Sequence, residues 1–290
     1  MNAAPGKLLV GLIGSGIQRS LTPAMQEEEA RHHGLRLHYQ LIDLDRTPGS
    51  LQQLPALLAA ARIMGFAGLN ITYPCKQAVI PLLDELSPEA EAMGAVNTVV
   101  IHDGRLVGHN TDGSGWVWGL CRSLPNADLS CVVLLGAGGA GSAIANAVLR
   151  LGAVQLRLVD TDLARASALA DALNARFGAR VIACSDAAQA LEGATGLIHA
   201  TPTGMDKLPG MPIPAALLRP SIWVSEIVYF PINTKLLQAA RALGCSTMDG
   251  GAMAAGQAVG AFELFTGLKA DPERMKQHFR QLLAAQASRG

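Results

Sequence analysis

The sequence predicts an α/β protein of two domains, and three observations support this prediction. The chain has 290 residues, which exceeds the usual size of a single hydrophobic core. Apolar runs of strand length alternate with segments of helical spacing along most of the chain. A glycine-rich turn at residues 136–141 separates one such strand from one such helix. This alternation predicts parallel sheets that are covered by helices.

The first part of the chain predicts three strands, three helices and a hairpin. The strand-like runs are residues 7–14, 37–44 and 66–72, and helical spacing covers residues 51–64 and 78–86. Thr22 and Pro23 predict a helix start, with Thr22 as the N-cap and Pro23 in the first turn. The apolar runs 96–101 and 105–108 flank Asp103-Gly104, which predicts a two-residue hairpin turn.

The second part of the chain repeats the alternation. Its predicted strands are residues 132–135, 155–160, 180–184, 197–201 and 223–228, and its predicted helices are residues 140–151, 163–176 and 232–243. Residues 131–149 are uncharged and approach the length of a membrane span. Because four glycines interrupt this run, a strand, a tight turn and a buried helix explain it better.

The composition of the chain limits the kinds of partner that it is expected to bind. The chain has 23 basic and 23 acidic side chains, scattered along its length. Such a balance does not attract a phosphate polymer or an anionic membrane, so we expect a small-molecule substrate, no nucleic acid and no membrane. The five cysteines and seven histidines lack the spacing of a metal site, so no metal is expected. Residues 1–7 show no secretory signal, which favours a reducing, cytoplasmic setting.

The glycine turn predicts a dinucleotide site. It satisfies G-x-G-x-x-G between a strand and a helix, the context in which this motif is informative. Gly136 permits the tight turn, Gly138 lets a pyrophosphate approach the backbone, and Gly141 allows the helix to pack closely on the strand. The helix N-terminus offers N–H groups to the phosphates. The predicted cofactor-binding residues of the turn are Gly136, Ala137, Gly138, Gly139, Ala140 and Gly141.

Asp160 ends the second predicted strand and indicates NAD rather than NADP. A carboxylate there accepts hydrogen bonds from the ribose hydroxyls and repels a 2′-phosphate. Asp162 adds to this repulsion. Arg165, one turn into the following helix, would instead attract a 2′-phosphate. The alternative is a glycine turn that binds nothing, with Asp160 as a simple helix cap.

Two polar clusters precede the glycine turn and suggest acid–base chemistry. They are residues 70–76 (Asn-Ile-Thr-Tyr-Pro-Cys-Lys) and 108–113 (Gly-His-Asn-Thr-Asp-Gly), and each follows a predicted strand. Oxidation of an alcohol needs a base for the hydroxyl proton, and Lys76 paired with Asp112 could supply one. From the residues alone, a lone lysine and a lone aspartate are also typical surface charges.

Seven segments make the chain resemble the shikimate/quinate dehydrogenase family over nearly its whole length. They are residues 20–23 (Ser-Leu-Thr-Pro), 70–76, 94–98 (Gly-Ala-Val-Asn-Thr), 110–113, 136–141, 200–205 (Ala-Thr-Pro-Thr-Gly-Met) and 256–258 (Gly-Gln-Ala). Their number and order are far more specific than any one of them. The resemblance implies a dehydrogenase with a substrate domain and a Rossmann doubly wound NAD-binding domain.

The resemblance also implies a role for each matching side chain. Lys76 and Asp112 correspond to the catalytic pair. The implied substrate-binding residues are Ser20 and Thr22 for a carboxylate, and Asn70, Thr72, Asn97, Tyr229 and Gln257 around the ring hydroxyls. Thr201 and Met205 join Asp160 and the glycine turn beside the dinucleotide. Alternatives remain for three of them, because Thr22 could cap its helix, Asn70 could be a structural strand-end residue and Tyr229 a core aromatic.

Departures from the family pattern indicate its NAD-dependent quinate/shikimate branch. Many NADP-dependent biosynthetic members carry an Asn-Arg-Thr-like run where this chain has Asp160-Thr161-Asp162. Ser20-x-Thr22 also matches the NAD-dependent branch, and Glu226 stands where aspartate is frequent. Residues 250–252 (Gly-Gly-Ala) are smaller than the usual run near the nicotinamide, which affects the choice between shikimate and quinate.

The residues and the resemblance together predict a two-domain dehydrogenase. We expect residues 1–112 and 250–290 to form the substrate domain and residues 113–249 to bind NAD. The expected enzyme is a monomer or homodimer that interconverts shikimate and 3-dehydroshikimate, or quinate and 3-dehydroquinate, in aromatic amino acid biosynthesis or quinate catabolism. The alternatives are an NADP-dependent biosynthetic shikimate dehydrogenase, a dehydrogenase of an altered ring acid such as an amino derivative, and a non-catalytic NAD-binding regulator.

Overall fold

The computed structural model describes residues 7–46 and 48–287. The opening residues 1–6, on which the expected absence of a secretory signal rests, lie outside the described residues. Backbone contacts divide the chain into two compact units. The first unit comprises Met1–Thr111 and Gln257–Gly290, and the second unit comprises Asp112–Gly256.

The elements follow the predicted alternation. In the first part of the chain they are β1 (Lys7–Gly14), α1 (Thr22–His32), β2 (Arg36–Asp43), α2 (Leu54–Ile63), β3 (Gly68–Ile71), α3 (Cys75–Ala78), β4 (Glu85–Leu86), α4 (Pro88–Met93), β5 (Thr98–His102) and β6 (Arg105–His109). Short 3₁₀ turns occupy Leu44–Arg46, Ser50–Gln53, Ile80–Leu82 and Ala215–Leu217. The remaining elements are α5 (Asp112–Ser123), β7 (Cys131–Leu135), α6 (Gly139–Arg150), β8 (Gln155–Val159), α7 (Leu163–Phe177), β9 (Val181–Cys184), α8 (Ala187–Leu191), β10 (Gly196–His199), β11 (Trp223–Glu226), α9 (Lys235–Ala242), β12 (Thr247–Met248), α10 (Gly250–Thr266) and α11 (Pro272–Ala287).

The division between the units falls inside α10, after Gly256 rather than before residue 250. The start of α10 packs within the second unit, because a Cβ at Gly250 would overlap the Val228 carbonyl oxygen, and Ala252 and Met253 join that unit's core. Asp112 also belongs to the second unit by these contacts.

The sheet of the first unit is mixed, in the order β2-β1-β3-β5-β6-β4. Strand β1 lies parallel to β2 and β3, whereas β5 is antiparallel to both β3 and β6. The expectation of a parallel sheet is therefore wrong for this end of it. The predicted hairpin is confirmed, with Asp103 at φ 50° and Gly104 at φ 73°, the left-handed pair that a type I′ turn requires.

Two local predictions in the first unit are wrong. Residues 78–86 do not form one helix, because Pro81 lacks a donor and the segment breaks into a 3₁₀ turn and β4. Thr22 is not the N-cap of α1 but its first helical residue, since Leu21 before it already has helical dihedrals. The Thr22 N–H instead donates to Ser20 Oγ at 3.3 Å.

The second unit holds a sheet of six parallel strands in the order β12-β11-β10-β7-β8-β9. Numbered within the unit, this is the order 6-5-4-1-2-3 of dinucleotide-binding doubly wound folds. Strands β7 and β10 are parallel neighbours, and the order in which successive strands are added to the sheet reverses between them. Ligands of such folds bind beyond the carboxyl ends of the strands at this switch point. The predicted doubly wound domain is confirmed.

Strand β7 shows why this sheet is covered on both faces. Val132 and Leu134 join one apolar cluster, whereas Val133 and Leu135 join the cluster on the opposite face. The uncharged run 131–149 is a strand, a turn and most of α6, as predicted. Within residues 7–46 and 48–287, none of the helices has the length and apolarity to cross a bilayer.

Candidate functional site

The glycine turn lies between β7 and α6, and its three motif glycines meet different surroundings. Gly136 has φ +100°, and a Cβ there would meet the Ala200 carbonyl oxygen at 2.7 Å. A Cβ at Gly141 would overlap the Gly136 carbonyl. A Cβ at Gly138 would meet no atom within 4 Å. Packing therefore explains two of the glycines, and the open space at Gly138 fits a ligand that approaches the backbone.

Asp160 holds this turn from the end of β8. Its Oδ2 accepts a hydrogen bond from the Ala137 N–H at 2.7 Å, and its Oδ1 accepts one from the Asp162 N–H at 2.9 Å. Only 8% of the side chain is exposed. The N-cap of α7 is Asp162, whose carboxylate accepts from the Arg165 N–H. The alternative that Asp160 caps this helix is therefore wrong.

The segment after β10 borders the same turn. Ala200 donates its N–H to the Leu135 carbonyl at 2.7 Å, which places residues 200–205 beside the end of β7. Thr201 is half-buried and Met205 is exposed. Both follow a strand that flanks the switch point, where the sequence predicts the dinucleotide.

A buried pair, His199 and Glu226, supports this segment, and the sequence alone did not predict it. The His199 Nδ1 and Glu226 Oε1 lie 2.8 Å apart, and both side chains are fully buried. Glu226 also accepts from the N–H groups of Ile227 and Val228 and from the Thr234 hydroxyl. The other ring nitrogen, Nε2, contacts the Thr201 hydroxyl at 2.5 Å. A histidine and an acid that end neighbouring strands were the available signal.

Asp112 and Tyr229 share an electrostatic environment in the second unit. Asp112 is buried at the first position of α5. Tyr229 is half-buried after β11, and burial raises the pKa of its phenol, with the negative charge of Asp112 adding to the rise. The sequence did not predict α5, because Gly113, Gly115 and Gly119 lower its helix propensity.

In the first unit, the segments that carry the predicted substrate-binding residues meet at one edge of the mixed sheet. Strands β1 and β3 are parallel and end at this edge, and antiparallel β5 begins there. The Thr72 N–H donates to the Ile13 carbonyl, and the Ser15 N–H donates to the Tyr73 carbonyl, both at 2.9 Å. These bonds bring the segments that carry Ser20, Thr72 and Lys76 to a common edge.

Lys76 lies in α3, just beyond this edge. Its side chain is half-buried, and its backbone carbonyl accepts a hydrogen bond from the Val96 N–H at 2.8 Å. This bond holds α3 against the segment that carries Asn97. Cys75 beside it is fully buried, and burial raises the pKa of its thiol to about 11.

The two predicted asparagines of this edge are buried and hydrogen-bonded. Asn70 accepts from the Tyr39 hydroxyl at 2.7 Å and donates to the Asn97 carbonyl and to the Thr98 hydroxyl. These bonds use both amide hydrogens of Asn70, so only oxygen lone pairs remain for a substrate hydroxyl. They also give Asn70 a structural role, the alternative that the sequence left open.

Asn97 orders the segment before Asp112. Its Oδ1 accepts the Thr111 N–H at 2.8 Å, and its Nδ2 donates to the Thr111 hydroxyl at 2.9 Å. The same hydroxyl donates to the backbone carbonyl of Gln257 at 3.0 Å. Asn97 and Gln257 are therefore linked through Thr111 within the first unit.

The loop with Ser20 and Thr22 is held by a residue that the sequence did not single out. Asp43 ends β2, and its carboxylate accepts from the Gly16 N–H and from Gln18 Nε2. Burial opposes ionisation of Asp43, but these bonds and those from the backbone N–H groups of Asp45 and Ile17 outweigh it and lower the pKa.

No group of three His, Cys, Asp or Glu side chains in the described part of the chain has the geometry to hold a metal ion. What this fold and these residues offer is a dinucleotide site in one unit and a polar, largely neutral edge in the other. They define a protein of the dinucleotide-binding α/β class.

Comparison with known proteins narrows this class. Residues 12–99 match the family model described as the shikimate dehydrogenase substrate binding domain. "Shikimate dehydrogenase (NADP(+))" of Streptomyces avermitilis is 55% identical over 97% of this chain and 98% of its own length. "Quinate/shikimate dehydrogenase (NAD(+))" of Corynebacterium efficiens is 50% identical over 95% of this chain and 98% of its own length. The chain belongs to the shikimate dehydrogenase family.

A solved structure gives the same result for the fold. Quinate dehydrogenase from Corynebacterium glutamicum in complex with NAD matches with a TM-score of 0.88 and 48% identity, over 95% of this chain and all of that one. The family resemblance of the sequence is thus confirmed, as is the expected class of pyridine-nucleotide oxidoreductase. Relatives named for NADP(+) and for NAD(+) both lie near 50% identity.

Proposed function

We propose that this enzyme uses NAD to interconvert shikimate and 3-dehydroshikimate, quinate and 3-dehydroquinate, or both pairs. The observation that supports NAD is Asp160, whose nearly buried carboxylate lies against the glycine turn. The open backbone at Gly138 fits a pyrophosphate. The names of the relatives support the substrates, since Corynebacterium efficiens has a quinate/shikimate dehydrogenase (NAD(+)) at 50% identity.

In this proposal, Lys76 and Asp112 form the acid–base pair. When bound, the dinucleotide supplies the hydride acceptor. Lys76 Nζ takes the proton of the substrate hydroxyl while the C–H bond breaks, and it returns that proton in the reverse reaction. Asp112 orients the lysine and the hydroxyl. Such proton transfer contributes roughly 10²- to 10⁴-fold to a rate.

The polar edge of the first unit is proposed to hold the ring acid. Ser20 and Thr22 donate hydroxyl groups to the substrate carboxylate. The ring hydroxyls are assigned to Asn70, Thr72, Asn97, Gln257 and Tyr229. Neutral partners suit this task, because a substrate that lacks one hydroxyl leaves a buried polar group unpaired and is rejected.

NADP is the second candidate cofactor, and one observation favours it. Arg165 Nη1 lies 3.8 Å from Asp160 Oδ1, and a guanidinium near this position could pair with a 2′-phosphate. Streptomyces avermitilis has a relative named for NADP(+) at 55% identity. We favour NAD because Asp160 and Asp162 both present carboxylates there, and Arg165 is already engaged with them. The cytoplasmic location and the monomeric or dimeric state stay predictions.

The test is a matrix of steady-state rates for shikimate and quinate with NAD+ and NADP+. We expect kcat/KM to be at least tenfold higher with NAD+. Preference for NADP+ would reject the cofactor assignment and leave the reaction intact. Turnover only with an amino derivative of the ring acid would replace the substrate. Binding of NADH without turnover of any of these acids would support the regulator.

A further inference from the structure

We propose that Asp43 is a positioning residue that orders the loop with which Ser20 and Thr22 bind the substrate carboxylate. This inference rests on the proposed function of those two hydroxyl groups. Asp43 itself belongs to none of the seven family-like segments, and the reaction does not need it as an acid or a base.

The carboxylate of Asp43 lies where it can hold the loop between β1 and α1. Asp43 is the last residue of β2, opposite Gly14 at the end of β1, and it is 6% exposed. Its Oδ1 accepts the Gly16 N–H at 3.0 Å, and its Oδ2 accepts Gln18 Nε2–H at 2.9 Å. Two residues of the loop, Gly16 and Gln18, are therefore fixed to one buried carboxylate.

A short hydrogen-bonded path leads from Asp43 to the predicted carboxylate site. Asp43 also accepts the backbone N–H of Ile17. The Ile17 carbonyl accepts the Ser20 N–H at 2.9 Å, and Ser20 Oγ accepts the Thr22 N–H at 3.3 Å. Each step is a hydrogen bond between neighbouring residues of the loop or between the loop and Asp43. A shift of the loop at Gly16 and Ile17 therefore also shifts the Ser20 hydroxyl.

A carboxylate suits this position because four donors of the described residues converge on it. The N–H of Asp45 adds to the donors from Gly16, Ile17 and Gln18. An ionised carboxylate accepts at both oxygens, whereas an asparagine would turn an NH₂ group toward at least one of these donors. Asp43→Asn therefore keeps the volume of the side chain but releases part of the loop.

The negative charge of Asp43 allows two explanations of a binding defect to be distinguished: loss of loop order and a direct electrostatic effect on the substrate. Asp43 has the same sign as the substrate carboxylate, so removal of its charge alone would strengthen anion binding. Weaker binding of shikimate by Asp43→Asn can then come only from loss of order in the loop. The two explanations predict changes of KM in opposite directions.

The experiment compares shikimate with its methyl ester, which lacks the negative charge, in the wild type and in Asp43→Asn. We expect KM for shikimate to rise about tenfold, KM for the ester to change less than threefold, and kcat and KM for the dinucleotide to stay within twofold. Asp45→Asn, an exposed neutralisation two residues away, is the matched control and should leave all four values unchanged.

Gln18→Ala keeps the test valid if Asp43→Asn does not fold. Gln18 is exposed, so its truncation should not disturb the core, and it removes one of the bonds to Asp43. We expect a two- to fourfold rise in KM for shikimate. An unchanged or lower KM for shikimate in both variants would overturn the inference, as would an equal rise for the ester.

Ser20→Ala distinguishes failure of this inference from failure of the proposed function. If Ser20→Ala raises KM for shikimate and Asp43→Asn does not, only the role of Asp43 is wrong. If Ser20→Ala leaves KM unchanged, the assignment of the carboxylate site is wrong, and the role of Asp43 is rejected with it.

Discussion

Asp160 Oδ2 accepts a 2.7 Å hydrogen bond from the Ala137 N–H, which ties the end of β8 to the glycine turn after β7. The acid thus has two tasks in the proposed function, because it shapes the turn and also presents its remaining lone pairs to a ribose. Asp43 repeats the first task in the other unit, where it accepts the Gly16 N–H after β1.

Asp160→Asn should weaken NAD binding and narrow the preference over NADP. The substitution removes the negative charge and half of the acceptor capacity, and a hydrogen bond to a charged group contributes about 1.5–3 kcal/mol. We expect KM for NAD+ to rise roughly 10- to 100-fold and KM for NADP+ to fall or stay constant. Asp171→Asn, an exposed neutralisation on α7, is the control. An unchanged ratio of the two KM values would exclude Asp160 from cofactor choice.

Substitutions at two glycines of the turn should have different effects, one on dinucleotide binding and the other on stability. Gly138→Ala adds a Cβ into open space at φ −77°, so we expect normal thermal unfolding and at least tenfold weaker NADH binding by fluorescence. Gly141→Ala places a Cβ on the Gly136 carbonyl, so it should lower the unfolding temperature by several degrees. Tight NADH binding by Gly138→Ala would place the pyrophosphate elsewhere.

Lys76→Ala should reduce kcat by about 10²- to 10⁴-fold, since it removes the proposed proton acceptor. NADH binding, measured by fluorescence titration, should stay within threefold of the wild type. Lys269→Ala removes an exposed lysine of the same unit and should leave both quantities unchanged. Wild-type turnover by Lys76→Ala would rule out the mechanism.

The pair of Glu29 and Arg274 should make stability sensitive to acid. Burial of Glu29 opposes its ionisation, but bonds from Arg274, the Asp271 N–H and His33 outweigh it and lower its pKa below the ordinary 4.5. A lowered folded pKa stabilises the protein above the unfolded pKa, and this stabilisation is lost as pH falls through the folded value. We expect Arg274→Ala to cost about 2 kcal/mol at pH 7, because Glu29 is buried whereas Arg274 is one-third exposed.

Urea unfolding at pH 7 and pH 4 measures this effect. The difference between wild type and Arg274→Ala should shrink at pH 4, because pH 4 lies below the ordinary pKa of 4.5 and the Glu29 carboxyl of the unfolded chain is then largely protonated. Arg31→Ala, which breaks the exposed pair with Glu28, should cost little at either pH. A cost of Arg274→Ala that does not depend on pH would show that Arg274 stabilises the protein by packing alone.

Cys75 should resist alkylation although it adjoins Lys76. With a pKa of about 11, roughly 0.1% of this thiol is ionised at pH 8, and the side chain is fully buried. Mass spectrometry after brief treatment with iodoacetamide should find exposed Cys121 modified first and Cys75 unmodified. Early modification of Cys75 would contradict the packing of α3.

Local sequence signals predicted the parts of the fold in which short-range chemistry decides. Asp103-Gly104 predicted the hairpin, since few other pairs adopt two left-handed conformations. Gly136–Gly141 predicted the turn and the start of α6 because strand, turn and helix follow without interruption. Prediction failed at Pro81, which interrupts a segment with helical spacing, and at α5, where three glycines lower the helix propensity.

The supporting contacts could not be predicted, because they join residues far apart in sequence. Asp43 meets Gly16 only through the register of β1 and β2, and Glu226 meets His199 only because β10 and β11 are neighbours. The residues proposed to touch ligands lie in motifs, whereas the residues that hold them do not. A single sequence therefore predicts Thr201 and Ser20 as candidate site residues but not the side chains that fix them.

The buried contact between His199 and Glu226 limits which substitutions this protein can accept at the two positions during evolution. Replacement of either partner alone leaves a polar group buried without its counterpart, whereas a paired replacement can restore the match. Positions 199 and 226 should therefore co-vary among homologues, and a library that randomises both together should recover combinations that neither single-site library contains.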